Sequence, residues 1–79
     1  MTNIEKKIAQ ILIKKLGIKE EKVTPNADIV NDLGADSLDQ VEIVMDFEDE
    51  FDIEIQDEDM DNLKTVQNVI DYIKKKINP

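Results

Sequence analysis

A chain of 79 residues without cysteine or histidine has no disulfide staple, no thiolate metal site and no imidazole general base. All ten basic residues are lysine, so no guanidinium fork is present, and 19 acids bring the formal net charge to −9, the wrong sign for a nucleic-acid binder. That length allows one small domain, residues 1–79, with a modest core. No apolar run reaches the length of a membrane span and no signal-peptide apolar region is visible, so a cytoplasmic protein without membrane insertion is expected.

The first element in chain order is a helix over residues 3–16. Ile4, Ile8, Ile11, Leu12 and Leu16 follow helical spacing, Thr2 and Glu5 form a capping-box pattern, and Gly17 stands where a C-terminal stop belongs. Residues 17–36 read as a long connection punctuated by Pro25 and Gly34. Ile29, Val30 and Leu33 are expected to pin it to the core. A second helix is expected from Ser37 to Phe51, followed by an extended piece, "DIEIQ", and one or two helical turns from Asp57 to Leu63. Thr65 is placed to cap a last helix with the stripe Val66, Val69, Ile70, Ile73 and Ile77, and Lys74, Lys75 and Lys76 suit the dipole of its final turn. The expected fold class is all-α: a small four-helix bundle of three main helices and one short helix.

Charge is sorted along this framework. From Asp28 to Asp61 there are fifteen acids and no base, while the lysines occupy Lys6–Lys22 and Lys64–Lys76. Composition alone favours solubility as the role of such a block over attraction of basic partners. The second helix carries more information. On a helical wheel Ile43, Val44, Phe47 and Phe51 share an arc of about 100°, the natural core face. Asp39, Glu42, Asp46 and Asp49 share about 80° on the other side. Leu38 and Met45 project beside these acids, with Val41 on the boundary. Apolar side chains among carboxylates suggest a docking patch for a basic surface with an apolar pocket.

Ser37, at the mouth of this helix, allows three roles. As a nucleophile it needs a base, but there is no histidine, Lys22 and Lys64 are distant in sequence, and no G-x-S-x-G elbow exists. As a cap it fits the S-x-x-Q pattern of "SLDQ", with Asp36 able to cap as well. As a modified residue it would profit from the free N–H groups of a helix N-terminus, which favour a phosphate ester. Asp36 and Asp39 would repel that phosphate, so the modifying enzyme must supply positive charge or a metal ion.

The stretch "DLGADSLDQVEIVMDFEDEF", with "KLGIKEEKVTPNA" before it and "TVQNVIDYI" after it, resembles the acyl carrier proteins of dissociated fatty-acid synthesis over nearly the whole chain. The resemblance implies a non-catalytic carrier in which Ser37 bears 4′-phosphopantetheine through a phosphodiester, and growing acyl chains ride on its thiol as thioesters. It implies docking through Asp36, Leu38, Asp39, Val41, Glu42, Met45, Glu48, Asp49, Asp57 and Asp61. The implied partners are a phosphopantetheinyl transferase (holo-carrier synthase), fatty-acid synthesis enzymes and acyltransferases with basic patches. Ile29, Phe47, Ile55, Met60, Leu63, Val69 and Tyr72 fall at acyl-pocket or core positions. Phe47, Met60 and Val69 are bulkier than is usual in the bacterial family, and Asp46 adds an acid; the larger side chains bear on chain-length capacity. A monomer is expected, since no large apolar face is left over.

Other readings are weaker. Polyketide, D-alanyl and peptidyl carriers share the fold and the modified serine, but "GADSLDQVE" resembles the fatty-acid type more closely than the G-G-x-S of peptidyl carriers. A calcium-binding module would use Asp57, Asp59 and Asp61 at EF-hand spacing, yet the required glycine is Asn62 and the closing glutamate is Asn68. An acidic mimic of nucleic acid would need no serine at a helix mouth.

Overall fold

The computed structural model describes residues 2–77, which form α1 (Asn3–Leu16), α2 (Ser37–Phe51), the single turn α3 (Asp57–Met60) and α4 (Val66–Ile77). A short 3₁₀ turn, Glu20–Lys22, lies in the first connection. α1 begins and ends on the expected signals. The Glu5 N–H donates to Thr2 Oγ1 at 3.2 Å, the Thr2 N–H donates to Glu5 Oε1 at 3.1 Å, and Gly17 closes the helix at φ +64. α4 opens on a capping box with Asn68 in the third position. The Asn68 N–H donates to Thr65 Oγ1, and the Thr65 N–H donates to Asn68 Oδ1, both at 3.1 Å.

Ion pairs fix how the helices run. Lys7 reaches Glu50 at 3.5 Å and Lys15 reaches Asp46 at 3.3 Å, so α1 and α2 are antiparallel. Glu5 meets Lys74 at 3.8 Å, joining the first turn of α1 to the last turn of α4. Between them lie Phe47, Ile8, Leu12, Ile73 and Val69, all fully buried. Each such side chain stabilises the fold by about 1.5–3 kcal/mol through burial. Two apolar positions depart from expectation. Ile77 is exposed, because the α4 stripe runs past the end of the core, and Val30 is 43% exposed. Ala27, Ile29, Leu33 and Ala35 pin the long connection instead.

That connection is ordered by backbone pairing. An antiparallel bridge joins Asp28 to Thr65: the Ile29 N–H donates to Lys64 O at 2.9 Å and the Val66 N–H to Ala27 O at 3.1 Å. The Asp28 carboxylate accepts the N–H groups of Val30 and Asn31, and Asp32 Oδ2 accepts the Asp28 N–H. Gly34, at φ +78, then turns the chain in a conformation that a side chain would strain. Buried Ala35 fixes the approach to α2. α3 ends at Met60 rather than Leu63, with residues 61 and 62 forming a turn.

Candidate functional site

Ser37 is the first residue of α2, and it is exposed. Asp36, not Ser37, caps the helix. Asp36 Oδ1 accepts the Asp39 N–H at 2.8 Å, and Asp39 Oδ2 accepts the Asp36 N–H at 3.2 Å. Gln40, which the S-x-x-Q reading would turn back toward a capping Ser37, donates to Asp36 O at 3.3 Å instead. Among the described residues nothing hydrogen-bonds to Ser37 Oγ, so the hydroxyl is free to be substituted. The reciprocal carboxylates were legible in "DSLD" as a D-x-x-D spacing, but the S-x-x-Q pattern competed with it. Lys22 and Lys64 are both exposed, outside the apolar surroundings that turn a lysine into a base.

The outer face of α2 presents Leu38, Val41 and Met45, at 66%, 49% and 57% exposure. Asp36, Asp49, Asp57 and Asp61 are exposed around them. The remaining acids are engaged. Asp39 is in the cap, and Glu42 lies 4.0 Å from Lys15. Glu48 Oε2 accepts the Ile55 N–H at 2.8 Å, tying the segment after α2 back to the helix. Glu48 is therefore a bracing residue of the fold as well as a member of the acidic set. Asp46, which the wheel placed with the outer acids, turns to Lys15 on α1.

Two hollows are lined in part by Gln40, one turn along α2 from Ser37. A surface cleft of about 350 Å³ is lined by Asp28, Val30, Asn31, Gln40, Met60, Asp61, Leu63 and Lys64. Behind it a narrow apolar chamber of about 30 Å³ is bounded by Ile29, Ile43, Val44, Phe47 and Val69, together with Gln40, Met60 and Leu63. Five of the seven residues expected at a pocket thus meet at one chamber. Ile55 and Tyr72 do not line it. Ile55 is buried elsewhere, and Tyr72 is half-buried with its hydroxyl donating to Asp59 Oδ2 at 2.8 Å.

The EF-hand reading fails on geometry. Asp57 and Asp59 are helical, Asp59 is bonded to Tyr72, and Asn68 serves the α4 cap, so residues 57–68 do not form a coordinating loop. No helix among the described residues is long and apolar enough to cross a membrane.

The sequence matches the phosphopantetheine attachment-site family over residues 6–73. It is 54% identical over 76 residues to proteins named "Acyl carrier protein" from two strains, Tuc7 and APS, of Buchnera aphidicola subsp. Acyrthosiphon pisum. In each case the match covers 96% of this chain and 95% of the relative. A free hydroxyl at the mouth of an acid-flanked helix, in a bundle of three long helices and one short one, agrees with that match, and the chain belongs to the acyl carrier protein family with its covalently held 4′-phosphopantetheine.

Proposed function

We propose that Ser37 Oγ is the attachment atom for 4′-phosphopantetheine and that the chain, one domain over residues 1–79, carries growing fatty acyl groups without catalysing their chemistry. The observation that carries this reading is the division of labour between neighbours: Asp36 caps α2 and leaves the Ser37 hydroxyl exposed. The backbone N–H groups of Ser37 and Leu38, at the positive end of the α2 dipole, are suited to a phosphodiester. During loading the Ser37 O–P bond forms as the pyrophosphate bond of coenzyme A breaks, and adenosine 3′,5′-bisphosphate leaves. The proton passes to a base of the transferase, since the chain offers no histidine. The transferase must also offset Asp36 and Asp39. The prosthetic group supplies the thiol that a cysteine-free chain lacks.

Leu38, Val41 and Met45, set among acids, fit fatty-acid synthesis enzymes and acyltransferases that present basic patches with an apolar socket. Charge steering speeds such encounters without a large buried area, so each partner can be left quickly. The apolar chamber behind Met60 and Leu63 is the shelter for the acyl chain. The chain acts as a monomer in the cytoplasm. Incubation with coenzyme A and a phosphopantetheinyl transferase tests the proposal by intact mass. One phosphopantetheine is gained by the wild type and none by Ser37→Ala. Loading of Ser37→Ala, or ester turnover by the unloaded protein, overturns it.

A further inference from the structure

We propose that Lys15 is an internal competitor for the docking acids of α2, so that a basic partner engages Glu42 only by displacing it; the inference rests on the docking reading above. Lys15 stands in the last turn of α1, where the helix dipole favours a cation. Its ammonium lies 3.3 Å from Asp46 Oδ2 and 4.0 Å from Glu42 Oε1, two acids one turn apart on α2. Glu42 in turn lies one turn from both Leu38 and Met45, the most exposed members of the apolar patch. A partner that brings a cation to this edge of the patch therefore meets one that the chain already supplies.

Two features hold Lys15 in this role. Its side chain is 29% exposed, against 52% for Lys7, the other α1 lysine paired with α2, so its stem is packed and pairing costs it less freedom. It is also shared between two carboxylates, so release from Glu42 leaves it held by Asp46, ready to return. Lys14, its neighbour in the same turn, is exposed and makes no ion pair among the described residues. The effect is selective. Partners that place a cation at Glu42 are weakened. Asp49, Asp57 and Asp61 are exposed and outside the ion pairs of the described residues, so they stay open to any basic surface. Competition at Glu42 shortens the life of a complex, which suits a carrier that passes from one enzyme to the next.

The test is the Kd of the unloaded protein for a phosphopantetheinyl transferase, measured by calorimetry at one fixed ionic strength. Lys15→Met keeps the apolar stem and removes the charge. Lys14→Met makes the same change in net charge one residue away. Lys15→Met should tighten binding by about two- to fivefold, the worth of one surface ion pair, and Lys14→Met by less than about twofold. A double-mutant cycle fixes the cause. Glu42→Gln should weaken binding by about two- to fivefold more in the Lys15→Met background than in the wild type, because there the carboxylate is no longer shared. Equal effects of the two lysine variants overturn the inference. So do equal costs of Glu42→Gln in both backgrounds, or weaker binding by Lys15→Met. Lys15→Gln carries the same comparison should Lys15→Met aggregate. Failure of the docking reading is distinct: Glu42→Gln and Asp49→Asn then leave Kd unchanged in every background, and the inference falls with it.

Discussion

The Tyr72 hydroxyl donates to Asp59 Oδ2 across 2.8 Å and ties α3 to α4. Resemblance placed Tyr72 at an acyl-pocket or core position; the side chain packs against the core, and its hydroxyl clasps the turn that carries Met60. Burial, first, and then the Asp59 carboxylate raise the Tyr72 pKa above the ordinary value of 10.0, because each disfavours the phenolate. A raised folded pKa means that this contribution to stability is complete below pH 10 and is lost as pH climbs through the folded value. Tyr72 is the only tyrosine, and there is no tryptophan, so ultraviolet absorbance reads it alone. Its midpoint should lie above 10.0 in the wild type and fall partway back in Asp59→Asn, with burial still in force. An unmoved midpoint in Asp59→Asn means that the bond does not form in solution.

Removing the hydroxyl isolates the energetic side of the same contact. Tyr72→Phe keeps the ring and loses one hydrogen bond to a half-exposed carboxylate, a cost of about 1 kcal/mol. For a domain of this size that lowers Tm by roughly 4–8 °C. Hydrogen exchange should quicken mainly in α3 and the turn after it. Uniform loss of protection across all helices would show that Tyr72 supports the whole core rather than α3.

Glu48 separates bracing from docking. Its carboxylate accepts the Ile55 N–H, a bond to a charged acceptor. Glu48→Ala should cost about 1.5–3 kcal/mol, measured by urea unfolding. Glu48→Gln retains an acceptor for the same N–H and should recover most of that loss. Asp49→Asn changes an exposed acid with no partner among the described side-chain hydrogen bonds and ion pairs, so it should leave stability within about 0.5 kcal/mol. It should slow association with a basic partner instead. Equal destabilisation by Glu48→Ala and Asp49→Asn would refute this distinction.

The helices could be read from the sequence because their signals are local. Thr2, Gly17 and Thr65 bracket helices whose apolar residues recur at helical spacing, and the structure places α1 and α2 at the expected limits. What escaped was set by neighbours distant in the chain. Val30 resembles any loop anchor, but the bridge between Asp28 and Thr65 turns it outward and leaves Ala27 and Ala35 to fill the space. A wheel drawn for α2 alone cannot know that Lys15 on α1 lies beside Glu42 and Asp46. Nor does a list of apolar positions reveal that Met60 stands between two hollows while Tyr72 reaches Asp59.

Asp36 offers a way to divide capping from charge. Asn and Asp cap helices about equally well, whereas Ala cannot. Asp36→Asn should hold Tm close to wild type, while Asp36→Ala should lose about 1 kcal/mol. Both remove one negative charge beside Ser37, so both should change the rate of encounter with the transferase in the same sense and to a similar degree. If loading instead tracks Tm, failing in Asp36→Ala and surviving in Asp36→Asn, the cap rather than the charge is what the transferase needs.

The charge map predicts a response to salt. Four Lys–carboxylate contacts, Lys7–Glu50, Lys15–Glu42, Lys15–Asp46 and Lys74–Glu5, are weakened by added ions, but such surface pairs are worth about 0–1 kcal/mol each. Against them stands repulsion among the acids of a chain of net charge −9, fifteen of which fall between Asp28 and Asp61. At 0.1 M salt the screening length is about 10 Å, short enough to quench repulsion between different turns and helices. Repulsion should win, so Tm should rise with added potassium chloride, and with magnesium at about millimolar levels through preferential binding to the folded state. Lys15 touches both Glu42 and Asp46, so Lys15→Gln should start from a lower Tm and climb more steeply with salt. A wild-type Tm indifferent to both salts, or a Lys15→Gln slope no greater than wild type, would mean that the folded acids are already solvated well enough for their repulsion not to limit stability.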